Sequence, residues 1–153
     1  MTTERDVPNA ASSTDPGPAL LSERPLLGVF VHVIGLFTGI VGPGLLYLVS
    51  DREFTRANAR NAFNWQLLVF AAGLVVMASV FGWILAVEWT PIPDVIALGW
   101  FLVIFVAMFG LVAVIFLNLI FPIIATVKAI FGGAWAYPLT PDFLAWIASY
   151  VDR

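Results

Sequence analysis

The sequence predicts an all-α integral membrane fold: about three transmembrane helices, the first kinked near Gly42-Pro43, and a short C-terminal interfacial helix. Three observations carry this. Hydrophobic residues make up 61% of the chain and charged residues 11%, with a mean hydropathy of +0.96, far from the composition of soluble domains. Long uncharged runs lie at Leu26–Val49, Phe63–Val87 and Val95–Val127. A polar segment from Arg52 to Gln66 leads directly into the second run, as expected where a helix enters a bilayer.

Residues 1–24 mix Thr, Ser, Asn, Pro and Gly with scattered charge and show no apolar period, so they are expected to form a disordered polar tail. The helical membrane domain is placed at 25–140 and an amphipathic helix at 141–153. Leu26–Val49 would span about 36 Å as one helix, longer than a hydrocarbon core of about 30 Å, and reads as a retained anchor rather than a signal-peptide core. Gly39-Ile40-Val41-Gly42-Pro43-Gly44 interrupts it, and the proline sets the expected break near Gly42. Val95–Val127 would reach about 50 Å and is expected to be a single long helix despite Pro122. Gly132-Gly133 should stop it. Thr140-Pro141-Asp142 supplies an N-cap, a first-turn proline and an early acid for the last helix. That helix places Phe143, Trp146, Ile147 and Tyr150 on one apolar face.

With three crossings, the tail and the Glu88–Asp94 loop share one side. The 51–61 connection and the C-terminus share the other. Counting Lys and Arg gives Arg52, Arg56, Arg60, Lys128 and Arg153 against Arg5 and Arg24, so the 51–61 side is expected to be cytoplasmic in a multi-pass cell-membrane protein.

The net charge of −3 argues against nucleic-acid binding. Six of the seven basic residues are Arg and the pI is about 4.8, a bias compatible with a halophilic source. The absence of cysteine removes thiol chemistry and disulfides. No Ser/His/acid set, paired membrane carboxylates or phosphate-binding glycine loop is present, so neither enzymatic activity nor a cofactor is expected. One histidine without converging ligands makes no metal site.

The chemistry is therefore concentrated in few residues. On a helix, Asn58, Asn61 and Trp65 share a stripe beside Asn64, and Arg56 and Arg60 lie four apart near Glu53. Arg56 and Arg60 suit headgroups; Asn61, Asn64 and Gln66 suit hydrogen bonds between helices, worth about 1 kcal/mol each. Asn118, in the third run, is a candidate partner for Asn64 or for a broken backbone. His32, one turn inside the first run, reads as a neutral packing histidine, with a proton relay as the competing role. Small residues at four-residue spacing, at Gly35/Gly39, Ala78/Gly82/Ala86 and Ala125/Ala129/Gly133, allow close helix approach.

His32, Gly42-Pro43, the segment Arg56-Ala57-Asn58-Ala59-Arg60-Asn61-Ala62-Phe63-Asn64-Trp65-Gln66, and Gly132 to Leu139 with its Tyr137-Pro138 pair occur in the order seen in Tic-twenty-like small membrane proteins. The chain resembles that family over about residues 25–140. It departs at Asn58, where the family often has histidine, and at Ala136, where a basic residue often stands. The resemblance implies a small helical membrane protein distantly similar to a chloroplast inner-envelope import component. The functional expectation is thus a non-enzymatic structural or assembly component, translocation-related by resemblance, whose partners are the lipid bilayer and a second copy or another membrane protein. The competing expectation is a small-solute or proton transport module built on the helix break and His32.

Overall fold

The computed structural model describes residues 25–151, and they are helical apart from short connections. The expected disordered tail, residues 1–24, lies outside them. The helices are α1 (Leu26–Thr38), α2 (Val41–Val49), α3 (Glu53–Trp89), α4 (Asp94–Ile130) and α5 (Phe143–Val151).

The first apolar run is two helices, and its break falls at Gly39-Ile40 rather than at Gly42-Pro43. Gly39 takes φ 61°, a left-handed conformation that a side chain would strain. The Thr38 hydroxyl donates to the Ile34 carbonyl at 2.7 Å and accepts from the Gly42 amide at 3.2 Å, tying the end of α1 to the start of α2. A Cβ on Gly42 would press into the Thr38 hydroxyl and lie 2.6 Å from Ile34 Cγ2, so a larger residue there would displace the side chains that tie the turn. Pro43 sits in the first turn of α2, where a missing N–H breaks no helical bond. The proline therefore starts a helix instead of kinking one.

Contacts with α3 fix the direction of both pieces. Gly28 lies against Phe54 and Thr55, and His32 against Asn58, so α1 runs parallel to α3. Gly44 lies against Phe63, and Tyr47 against Arg56, so α2 runs back antiparallel. The run thus enters and leaves at the same end of α3 as a helical hairpin. This replaces the expected kinked crossing. Among the described residues two helices, α3 and α4, rather than three, are long and apolar enough to cross a membrane.

The long helices form an antiparallel pair: Trp65 lies against Phe121 near one end, and Trp83 stacks on Trp100 toward the other. At 37 residues each they measure about 55 Å, which requires tilt or protrusion from a bilayer. Pro122 lies inside α4, buried and without a break, as the sequence suggested. Gly132 at φ 90° ends α4, with the Gly133 amide donating to the Lys128 carbonyl and the Gly132 amide to that of Ala129, a Schellman closure.

The last helix begins later than expected. Asp142, not Thr140, caps it, its Oδ1 accepting the Ala145 amide at 3.1 Å. The Thr140 hydroxyl is buried and unpaired among the described residues.

Burial follows this arrangement. Val31, Ala59 and Ala62 form one core against Leu46 and Tyr47; Trp65, Ala125 and Tyr137 form another. Both lie in the half of the molecule that contains the hairpin. The distal halves of α3 and α4 expose Val75, Phe81, Leu85, Phe101, Phe105 and many similar side chains, an apolar surface suited to lipid.

The hairpin also redistributes charge. Arg52, Arg56, Arg60 and Lys128 gather at its mouth, whereas the opposite turn carries Glu88 and Asp94 and no base. In a Cys-free background, single cysteines at Ser22 and Asp51 are expected to react with an impermeant maleimide from one side of a vesicle, and one at Thr90 from the other. Reaction of Ser22 and Thr90 from a common side would restore the three-crossing arrangement.

Candidate functional site

The polar entry segment of α3 presents its side chains in two directions, and each set ends on a different part of the chain. Asn58, fully buried, donates from Nδ2 to the Phe54 carbonyl at 3.0 Å, which turns its Oδ1 toward α1. That oxygen lies 3.0 Å from His32 Nε2, and the Tyr137 hydroxyl lies 2.9 Å from His32 Nδ1. Because Asn58 Oδ1 can only accept, Nε2 carries the imidazole proton. Nδ1 then accepts from Tyr137. Burial pushes the Tyr137 hydroxyl well above the ordinary tyrosine range, which keeps it a donor. His32 thereby joins α1, α3 and the segment after α4.

Tyr137 also anchors an aromatic cluster. Its ring stacks on Trp65, with centroids 5.3 Å apart and planes 10° apart, and touches Phe121 and Trp135. Trp65 Nε1 and Gln66 Nε2 both donate to Asn118 Oδ1, at 2.8 and 3.0 Å, fixing α3 to α4. Asn118 therefore pairs with Trp65 and Gln66, not with the expected Asn64.

Asn64 and Arg60 form the second set. Arg60 Nε donates to Asp142 Oδ1 at 3.1 Å and its Nη2 forms an ion pair with Oδ2. Asn64 Nδ2 donates to Asp142 Oδ1 at 3.0 Å, and Asn64 Oδ1 accepts the Leu144 amide at 3.3 Å. One carboxylate thus caps α5 and latches it to α3. The Arg60 hydrogen bonds hold the Asp142 carboxyl below its usual range, with smaller help from the Ala145 amide and Asn64.

The remaining expected residues are less engaged. Arg56 lies over the Tyr47 ring, 5.3 Å from its centroid. Asn61 is half-buried and its side chain hydrogen-bonds to none of the described residues, so it is not brought into either set. Pro138 is exposed, next to Leu139 at φ 64° and 93% exposed. Gly42 and Pro43 build the hairpin turn and line none of the principal clefts. His32 has both ring nitrogens hydrogen-bonded and also lines none of them. Asn58 and Asp142 were not singled out as contact residues from sequence. Their signals were present, a buried-stripe position and an early helical acid, but their partners lie 26 and 82 residues away.

Small-residue stripes divide in the same way. Ala125 and Ala129 are fully buried within the chain. Ala78, Gly82 and Ala86 line an open groove of about 580 Å³ with Val75, Ser79, Trp83 and Trp100. Among the described residues no group of three His, Cys, Asp or Glu side chains gathers as a metal site.

The helical hairpin, the two long apolar helices and the inward-turned polar segment define an all-helical membrane protein. Its family is the magnetosome magnetite crystal formation protein family (MamF/MmsF), whose model matches residues 23–144; the chain belongs to it. This corrects the Tic-twenty-like resemblance, since the motifs that suggested it fall within the magnetosome match, and the implied link to translocation falls with it. The halophilic expectation gains no support. No curated protein and no solved structure shows a significant match to the chain.

Tyr137→Phe is expected to lower the detergent unfolding temperature by leaving His32 Nδ1 unpaired, a loss of about 1–3 kcal/mol. Asn61→Ala, as a control, should change it little. The latch should hold at neutral pH and weaken as pH falls below about 4, because a carboxyl held low in the fold stabilises it only while ionised. Trp146 fluorescence should report this release, and Asp142→Asn should abolish its pH dependence.

Proposed function

We propose that this chain is a non-enzymatic membrane component of magnetite crystal formation, acting through its folded shape and its contacts in the bilayer. The observation that carries the reading is that Asn58, Arg60, Asn64, Trp65 and Gln66 of the α3 entry segment spend their polar groups on holding the chain together. Among the described residues this leaves no nucleophile, base and electrophile stabiliser grouped together, which supports a non-enzymatic reading. The family description supplies the process.

Orientation follows from charge. The hairpin mouth, with its four described basic residues, faces the cytoplasm, and the Thr90–Pro93 turn with its flanking Glu88 and Asp94 faces the opposite side. The 51–61 segment keeps the cytoplasmic placement that the sequence suggested, but the amino-terminal side now joins it. Association with a second copy or another membrane protein uses the open Ala78/Gly82/Ala86 face, which the fold leaves without an internal partner.

The test is replacement of the family member in a magnetite-forming bacterium by this chain and by its Gly82→Leu variant. The chain should restore crystal size and shape, measured by electron microscopy. Gly82→Leu, which fills the groove far from the polar contacts, should insert normally but leave crystals altered. A chain that reaches the membrane without changing crystals would sink the proposal.

A further inference from the structure

We propose that the cleft at the hairpin mouth binds the zwitterionic headgroup of an aminophospholipid, with the phosphate on Arg56 and the amine between Asp51 and Glu53. The cleft encloses about 320 Å³ and is lined by Tyr47, Asp51, Glu53, Arg56, Ala57 and Arg60. Four of these, Glu53, Arg56, Ala57 and Arg60, recur at spacings of three and four and so share one face of α3.

Its charges do not neutralise one another. Arg60 is committed to Asp142. Arg56 makes no ion pair among the described residues; its guanidinium face rests on Tyr47, leaving the N–H edge free to grip a phosphate. Asp51 and Glu53 likewise make no ion pair there, although Glu53 is only three residues from Arg56. One cleft therefore holds an uncommitted cation beside two uncommitted anions.

That balance selects the ligand class. With Arg60 neutralised, the cleft carries a net charge of −1, which disfavours a simple anion. A metal ion lacks a third ligand. A phosphate and an ammonium joined by a short linker satisfy both signs at once. Position selects the source: exposed Val41, Leu45 and Leu48 form an apolar stripe on α2, the helix that carries Tyr47, and acyl chains can lie along it. The inference is independent of any role in crystal formation.

The experiment is native mass spectrometry of the full chain released from nanodiscs holding equal amounts of phosphatidylethanolamine, phosphatidylglycerol and phosphatidylcholine. Phosphatidylethanolamine should be retained several-fold over both others. Arg56→Gln should lose most of that retention, and Asp51→Asn with Glu53→Gln should shift preference to phosphatidylglycerol, with helicity and unfolding temperature unchanged as the folding control. Equal retention of the three lipids, or indifference to these substitutions, would overturn the site. Displacement by equimolar glycerophosphoethanolamine would overturn the lipid source.

Discussion

The His32 imidazole is the contact on which the rest of the structure depends. It receives one hydrogen bond and gives one, and its two partners, Asn58 and Tyr137, belong to segments far apart in the chain. Through Tyr137 the arrangement extends to the ring of Trp65, and through Trp65 to Asn118 on α4. In a bilayer the apolar surfaces of helices gain little from meeting each other, because lipid tails are equally apolar. Fixed hydrogen bonds and close ring contacts then decide which helix faces sit together. Both ring nitrogens of this ionisable side chain are taken up by neutral partners.

Returning the first apolar run to the end where it began changes more than a helix count. It places both ends of that run beside the end of α4 and the start of α5, which the antiparallel pairing of α3 and α4 already brings near Arg60 and Asn64. The distal halves of α3 and α4, lacking a third helix, are left as an apolar pair bearing an open small-residue groove. The chain thus has a closed polar end and an open apolar end, which suits a component that works by association within a membrane.

Much of this was legible in particular residues. The long helices followed from uncharged runs, and the end of α4 from Gly132-Gly133, because these signals are local. The burial of His32 was foreshadowed by its place inside an uncharged run. The partners were not. Asn118 could be matched to any donor on α3, and only helix register selects Trp65 and Gln66 over Asn64. Pro43 misled because a proline breaks the helix that precedes it and equally starts the helix that follows. Thr38 and Gly39 decided which applied.

By itself the sequence determined that this chain is helical, that it belongs in a membrane, and that its chemistry sits in the entry segment of α3. Those properties depend on composition and on spacing within one helix. Tertiary structure alone decided that the first apolar run folds back, that Asp142 latches the last helix, and that nearly all the α3 carboxamides point inward. Each of these is set by contacts between residues distant along the chain, whose pairing no local pattern encodes.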